Sequence, residues 1–258
     1  MIQKERLQVI MQTLEERQAL SLKEIIQLTG ASRDTARRDI VKLADRNLIQ
    51  RTYGGIALPQ SFKQLDDYLQ RSSEGNSEKQ QLAQIAGKMV HDAKSIYLDV
   101  STTISYIPQY LENSTQLFTV TNSIDIADQL LRNSECETRM LGGNLDREKR
   151  CVIGTRPLIE MEQYQFDLAF VSVVGLDSEG VYYAYEEDID MKNKLRKQTA
   201  KLVLLADTRK INQAHYFKAY NWDQVDTLVT NKSLPNGLAE ILEEQHVTVL
   251  YAGGKMHD

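Results

Sequence analysis

Apolar positions recur at a helical period in the first fifty residues and in short unbroken runs after about residue 95, and this change divides the chain. Leu7, Ile10, Met11 and Leu14 fall at i, i+3, i+4 and i+7 with Lys4, Glu5, Glu15 and Glu16 elsewhere, which predicts a first helix. Ser21 followed by Glu24 has capping-box spacing. A second helix of barely two turns should start at Leu22, bury Ile25, Ile26 and Leu28, and stop at Gly30. Ser32 is a good N-cap for a third, running to about Asn47 with Ala36, Ile40, Leu43 and Ala44 on one face. The two helices then meet across a tight turn containing Gly30. From Leu48 to Leu58, two extended runs flank Gly54 and Gly55 and predict a hairpin or wing.

Between Pro59 and Ser77 no period is sustained, and Arg71 to Ser77 has the composition of a linker. The expected organisation is a winged helix-turn-helix domain over 1–58, a linker over 59–76 and a larger domain over 77–258. A helix from Glu78 to about His91 leads into seven apolar runs: Ile96 to Asp99, Leu117 to Thr121, Arg139 to Leu141, Leu168 to Val174, Leu202 to Ala206, Thr227 to Val229 and Val247 to Tyr251. Helical segments fall between most of them. The expected fold class is therefore α/β, with a small N-terminal domain and a mainly parallel sheet covered on both faces.

At 258 residues and 41% hydrophobic, the chain can build two cores. Its net charge of −5 argues against a nucleic-acid partner until it is divided: residues 1–60 carry 10 Lys/Arg and 7 Asp/Glu, net +3, and the remainder is net −8. A basic head on an acidic body permits DNA binding by the head. No apolar run approaches the ~18 residues of a membrane span, and Met1 to Glu15 lacks a secretory signal, so a soluble cytoplasmic protein is expected. Cys136 and Cys151 are read as free thiols; neither a metal site nor a cofactor is expected.

In a helix-turn-helix the second helix enters the major groove. At about 100° per residue, Ala36, Ile40, Leu43 and Asn47 cluster, and Arg38 lies roughly 180° from their centre. Ser32, Arg33, Thr35, Arg37 and Arg38 thus form an outward group of guanidinium forks and hydroxyls suited to guanine edges and phosphates, with Arg51 and Tyr53 on the wing as further contacts. The alternative is an ordinary solvated helix on which Arg37 and Arg38 pair with Asp34 or Asp39. Ser32-Arg-Asp-Thr35-Ala-Arg37-Arg38-Asp39-Ile40-Val-Lys-Leu43 followed by Arg51-Thr-Tyr-Gly54-Gly55 resembles the DNA-binding signature of DeoR-type transcriptional repressors. Asn47 stands where that family usually has Gly, and Tyr53 where it often has His.

In open α/β sheets ligands bind outside the carboxyl ends of strands. Three such ends carry hydroxyls, amides and open backbone: Asp99-Val-Ser101-Thr102-Thr103, Thr121-Asn122-Ser123 and Gly142-Gly143-Asn144. Lys210, just past Asp207, would add positive charge for a phosphate. Ser101 and Asn122 have a plainer use as caps for the helices that follow. The body resembles the DeoR sensor domain, related to ribose-phosphate isomerases, which implies binding of phosphorylated sugars as inducers. By that resemblance Asp99, Ser101, Thr102 and Thr103 form the phosphate loop; Thr121, Asn122, Ser123, Gly142, Gly143, Glu187, Lys192 and Lys210 complete the effector site. Ser101 replaces the loop Gly and Asn193 replaces an Arg. The expected function is a repressor of a sugar-metabolism operon, not an enzyme, acting as a homodimer or homotetramer on operator DNA and released by a phosphorylated sugar. Alternatives are an isomerase-like enzyme with a DNA-binding head, against which no His lies at a strand end, and a DeoR-like activator.

Overall fold

The computed structural model describes residues 2–17, 19–45, 49–52, 55–57, 68–73, 76–112 and 114–252. They form two compact units, Met1–Gln64 and Leu65–Asp258. The first contains α1 (Gln3–Arg17), β1 (Ala19–Ser21), α2 (Leu22–Thr29), α3 (Arg33–Asp45), β2 (Gln50–Thr52) and β3 (Gly55–Ala57). The capping box at Ser21 and Glu24 is present, and Gly30 closes α2 in the left-handed region at φ 64° with its N–H on the Ile26 carbonyl. Of the three residues expected to be buried on α2, Ile25 is; Ile26 and Leu28 are half-buried, and Thr29 takes the inner position by returning its hydroxyl to the Ile25 carbonyl at 2.7 Å. Ile10, Leu14, Leu20, Ile25, Ala36, Ile40, Leu43, Ile49 and Ile56 are the buried apolar residues of this core. β2 and β3 form the anticipated hairpin, but β3 also pairs antiparallel with β1, giving the order β1-β3-β2. Strand β1 is too short to show a period and was not anticipated. Asn47, Tyr53 and Gly54 lie outside the described residues.

The second unit opens with α4 (Tyr68–Ser73) and α5 (Asn76–Met89), so a short helix with a buried Tyr68 stands where no regular structure was expected. Strands β4 (Ser95–Leu98), β5 (Phe118–Thr121) and β6 (Glu137–Met140) follow, with α6 (Ile124–Asn133) between the last two. A hairpin of β7 (Asn144–Asp146) and β8 (Cys151–Ile153), then α7 (Thr155–Met161), leads to β9 (Phe166–Ser172). Next come β10 (Gly175–Asp177), β11 (Gly180–Tyr183), α8 (Glu186–Lys197), β12 (Thr199–Leu205), β13 (Phe217–Tyr220), β14 (Thr227–Thr230), α9 (Asn236–Glu244) and β15 (Thr248–Tyr251). All seven anticipated strands join one sheet, in the order β15-β14-β12-β9-β4-β5-β6, and every pair in it is parallel. Two apolar clusters cover its faces, one containing Tyr97, Phe166, Ala169 and Leu202, the other Leu82, Ile96, Phe170 and Val203. The hairpin and a small antiparallel sheet, β10-β11-β13, are additions that the apolar runs did not reveal. No helix among the described residues is long and apolar enough to cross a membrane.

The sheet order places a topological switch between β4 and β9: from β4 the chain proceeds through β5 to β6, then returns to the other side of β4 and continues outward through β12, β14 and β15. At such a point the connections leave in opposite directions and open a crevice at the carboxyl ends.

A second constraint sits in the head, where a Cβ on Gly55 would lie 2.1 Å from the Leu20 carbonyl oxygen of β1. Gly55→Ala should therefore lower the urea midpoint of the N-terminal unit, with a cost of about 1–3 kcal/mol or more. Gly237→Ala, in α9 with nothing within 4 Å of the added methyl, should be neutral or stabilising by up to about 1 kcal/mol. Equal effects of the two substitutions would contradict the close approach.

Candidate functional site

The outward face of α3 follows from where its one buried acid points. Asp39 is fully buried and accepts from Arg6 Nε at 2.7 Å, Arg6 Nη2 at 3.2 Å and Gln3 Nε2 at 3.0 Å, all from α1. Burial pushes its pKa up, but these bonds outweigh it and hold the carboxylate below its usual range. Asp39 is thus occupied inside the head and does not neutralise Arg37 or Arg38. Arg33, Arg37 and Arg38 are exposed, and among the described residues their side chains make no hydrogen bond or ion pair. Ser32 caps α3: its Oγ accepts from the Thr35 N–H at 3.3 Å and lies 2.9 Å from Thr35 Oγ1. The backbone of Arg51 lies in β2; Tyr53 is outside the described residues.

In the body, a cavity opens at the β4/β9 switch. Its lining includes Asp99, Val100 and Ser101 after β4, Ser172, Val173 and Val174 at the end of β9, and Tyr183, Tyr185, Asp188 and Lys192 from β11 and α8. Tyr68 and Arg71 of α4 and Lys149 of the β7–β8 turn complete it. Lys192 Nζ donates to Asp99 Oδ2 at 2.6 Å, with side chains 5% and 2% exposed, and sits 4.9 Å from the Tyr183 ring centroid. Asp99 Oδ1 is buried without a hydrogen-bond partner among the described residues. Burial raises the Asp99 pKa in spite of Lys192. Lys149 bridges Glu187 at 2.5 Å and Asp188 at 3.3 Å and lies 4.0 Å from the Tyr185 ring centroid, fastening the hairpin to the start of α8.

Lys210 Nζ donates to Ser172 Oγ at 2.9 Å. Its pKa is pushed down to about 8, first by burial and then by the like charges of Arg71, Lys79 and Arg209; Asp207 opposes them. Asp207 itself is held below its usual range, because the fork from Arg209 at 3.0 Å, with Lys210, outweighs its burial.

Asp99, Ser101, Lys192 and, through Ser172, Lys210 therefore converge on one cavity. The other anticipated residues are used differently. Ser101 Oγ accepts from the N–H groups of Thr103 and Ile104 at 3.0 and 3.4 Å, starting the 3-10 turn that follows. Thr121 donates to the Leu98 carbonyl at 2.6 Å, Asn122 accepts from the Val100 N–H at 3.0 Å, and Ser123 caps α6. These bonds shape the loop after β4 from below. Thr102 and Thr103 are buried within that loop. Gly142 donates to Glu160 at 2.9 Å and Gly143 packs on Val152 and Pro157; both lie at the end of β6, outside the cavity lining. Glu187 is largely exposed on the far side of Lys149. Ser172, Tyr183 and Tyr185 escaped the motif reading because the end of β9 carries no recognisable loop. Tyr68 and Arg71 escaped because their segment read as linker. No group of three or more His, Cys, Asp and Glu among the described residues is placed to hold a metal.

The buried pair sets a stability test. Lys192→Met leaves Asp99 buried and unpaired and should cost about 3–5 kcal/mol, while adding Asp99→Asn should recover much of that loss. Additive costs in a denaturant double-mutant cycle would show that the two side chains do not depend on each other.

The N-terminal unit matches the model of the DeoR-like helix-turn-helix domain over residues 6–62, and the body matches the DeoR C-terminal sensor domain over residues 74–232. The HTH-type transcriptional repressor GlcR of Bacillus subtilis is 34% identical over 97% of this chain and 96% of its own. A glycerol-3-phosphate regulon repressor of Haemophilus influenzae is 27% identical over 97% and 98%. Among solved structures, ribose 5-phosphate isomerase A from Methanocaldococcus jannaschii covers 54% of this chain and 55% of its own, with 16% identity and a TM-score of 0.39, a partial likeness that assigns no function. With both domain models matched in order, and a relative of this identity aligned from end to end, the chain belongs to the DeoR family of helix-turn-helix transcriptional regulators.

Proposed function

We propose that this regulator is a repressor that grips operator DNA through the outward face of α3 and lets go when a phosphorylated sugar or polyol enters the β4/β9 cavity. The observation that carries the DNA half is the inward turn of Asp39 onto Arg6, with Arg33, Arg37 and Arg38 exposed and in no ion pair among the described residues. Ser32 and Thr35 supply hydroxyls beside them, and Arg51 and Tyr53 are the wing contacts of this reading. Repression, as against activation, is supported by the names of the relatives, which include two repressors. The domain roles follow: 1–58 for DNA, 59–76 as connection, and 77–258 for effector binding and self-association, with Tyr68 and Arg71 of the connection serving the effector site. Because one small head buries too little surface to select an operator among genomic competitors, the working form is a homodimer or homotetramer, assembled through the body.

The effector half is supported by two unlike polar groups at the cavity. Asp99 Oδ1 offers an unused acceptor to a sugar hydroxyl, and Lys210 on Ser172 offers a cation to a phosphate. Asp99, Ser101, Thr102, Thr103 and Lys192 line or shape the hydroxyl-binding part. Thr121, Asn122 and Ser123 support it, and Gly142, Gly143 and Glu187 act at a distance from it. Ligand releases DNA only as far as it binds the DNA-incompetent arrangement more tightly, and a coupling of about 1–3 kcal/mol would change operator affinity roughly 5- to 150-fold.

Two outcomes test this. Arg38→Ala should cost about 1–3 kcal/mol of operator affinity and flatten the preference over random DNA; an unchanged anisotropy titration at fixed salt would remove α3 from the interface. Glycerol 3-phosphate and hexose and pentose phosphates, screened against the full chain, should include one that releases operator DNA, and Lys210→Ala should abolish that release. Lys210 faces Asp207, Arg71, Lys79 and Arg209, and a bound phosphate raises its pKa from about 8. Affinity for that effector is then full between about pH 7 and 8, where the phosphate is already a dianion, and falls by up to about tenfold per unit above pH 8. A flat profile from pH 7 to 10 would exclude Lys210 as the phosphate's partner.

A further inference from the structure

The cations beside the cavity draw on a part of the chain that neither domain description explains. Arg71 lines the cavity from α4, and its guanidinium carbon lies 5.8 Å from the centroid of the buried Tyr68 ring. Lys79, 4% exposed in the first turn of α5, donates from Nζ to the Arg71 carbonyl and ties the two helices together. Ser172, at the end of β9, also lines the cavity and accepts from Lys210 Nζ. Arg71 and Lys79 are both near enough to depress the Lys210 pKa, and the acid that opposes them, Asp207, is already forked by Arg209. Positive charge thus gathers beside a cavity that the Asp99–Lys192 pair also lines. A dianion placed among these cations relieves their mutual repulsion, and a planar guanidinium over an aromatic ring presents two parallel donors to phosphate oxygens.

We propose that Arg71, with Lys210 and the Ser172 hydroxyl, forms the subsite for the effector's phosphate, so that α4, the first described helix after the N-terminal unit, is itself part of the ligand-reading apparatus. This rests on the function proposed above and specifies which residue of the connection takes part. Tyr68, one turn earlier, hydrogen-bonds Asp125, which is forked by Arg150 of the β7–β8 turn at 2.7 to 2.9 Å. A phosphate on Arg71 therefore adds a second anchor to a helix already fastened at its start, and only residues 58–67 lie between that helix and the wing strands.

The test is a thermal-unfolding titration of the full chain with inorganic phosphate against chloride at equal ionic strength, followed by operator release with sugar phosphates. The parent's midpoint should rise saturably with phosphate. Arg71→Gln and Lys210→Gln should each need about tenfold more phosphate or lose the response, Arg71→Lys should fall between, and Arg132→Gln, a cation on α6 held by Asp128, should match the parent. Should Arg71→Gln fail to fold, Arg71→Lys decides. Phosphate saturation unchanged in the Arg71 variants, or absent in the parent, overturns the subsite. The two readings fail separately: release by sugar phosphates equal in parent and Arg71→Gln leaves the function standing and removes Arg71, whereas phosphate binding through Arg71 without release by any sugar phosphate keeps the subsite and removes the effector-controlled repressor.

Discussion

A charge withdrawn from water has to be answered by another group, and the placement of those answers organises both halves of this protein. In the head, Asp39 can be buried only because Arg6 and Gln3 reach it from α1, and satisfying it in this way fixes the rotation of α3 about its own axis. Arg37 and Arg38, the two residues before that inward acid, are exposed. In the body, Asp99 at the end of β4 is buried on Lys192 of α8, which joins the central strand to the helix that covers the cavity. Replacing such a pair with apolar residues is often neutral for stability, so these pairs are better understood as fixing geometry than as strengthening the fold.

That geometry also explains why the cavity lies where it does. Seven parallel strands put their carboxyl ends on one rim, but only at the β4/β9 reversal do the connections part. Along the rest of the rim the polar loops are consumed by the fold: Ser123 caps α6, Thr121 and Asn122 secure the loop after β4, and the Gly142–Gly143 turn makes room for α7 and the hairpin. At the reversal, Asp99 Oδ1 has no hydrogen-bond partner among the described residues, and Lys210 donates to the Ser172 hydroxyl.

How far the sequence disclosed this depended on whether a signal was local. Capped helices and buried strands are written in short windows, so α2, α3 and all seven sheet strands were legible from Ser21, Gly30, Ser32 and the apolar runs. Strand β1 was not, because three residues cannot show a period and its evidence lies in Gly55, thirty-four residues beyond Ser21. Of the residues named for the effector site, Asp99, Ser101 and Lys192 line one cavity and Lys210 bonds its Ser172, while Gly142, Gly143 and Glu187 are not among the lining residues. A motif identifies a strand end without saying which strand will be its neighbour, and the pairing of β4 with β9, seventy residues apart, decides which ends face each other. Tyr68 and Arg71 were hidden for the opposite reason, since a six-residue helix amid Ser, Gly and Asn has no sequence pattern of its own.

Ser21 holds two posts in the head: it pairs across from Gly55 in the small sheet and it caps α2, which the Gly30 turn connects to α3. Strand β3 of the hairpin is thereby joined through Ser21 to α2 and, across the Gly30 turn, to α3. On the DNA-binding reading proposed above, the contacts of α3 and of the wing share this frame, so a base pair inserted between them, about 3.4 Å of rise, should displace one of them.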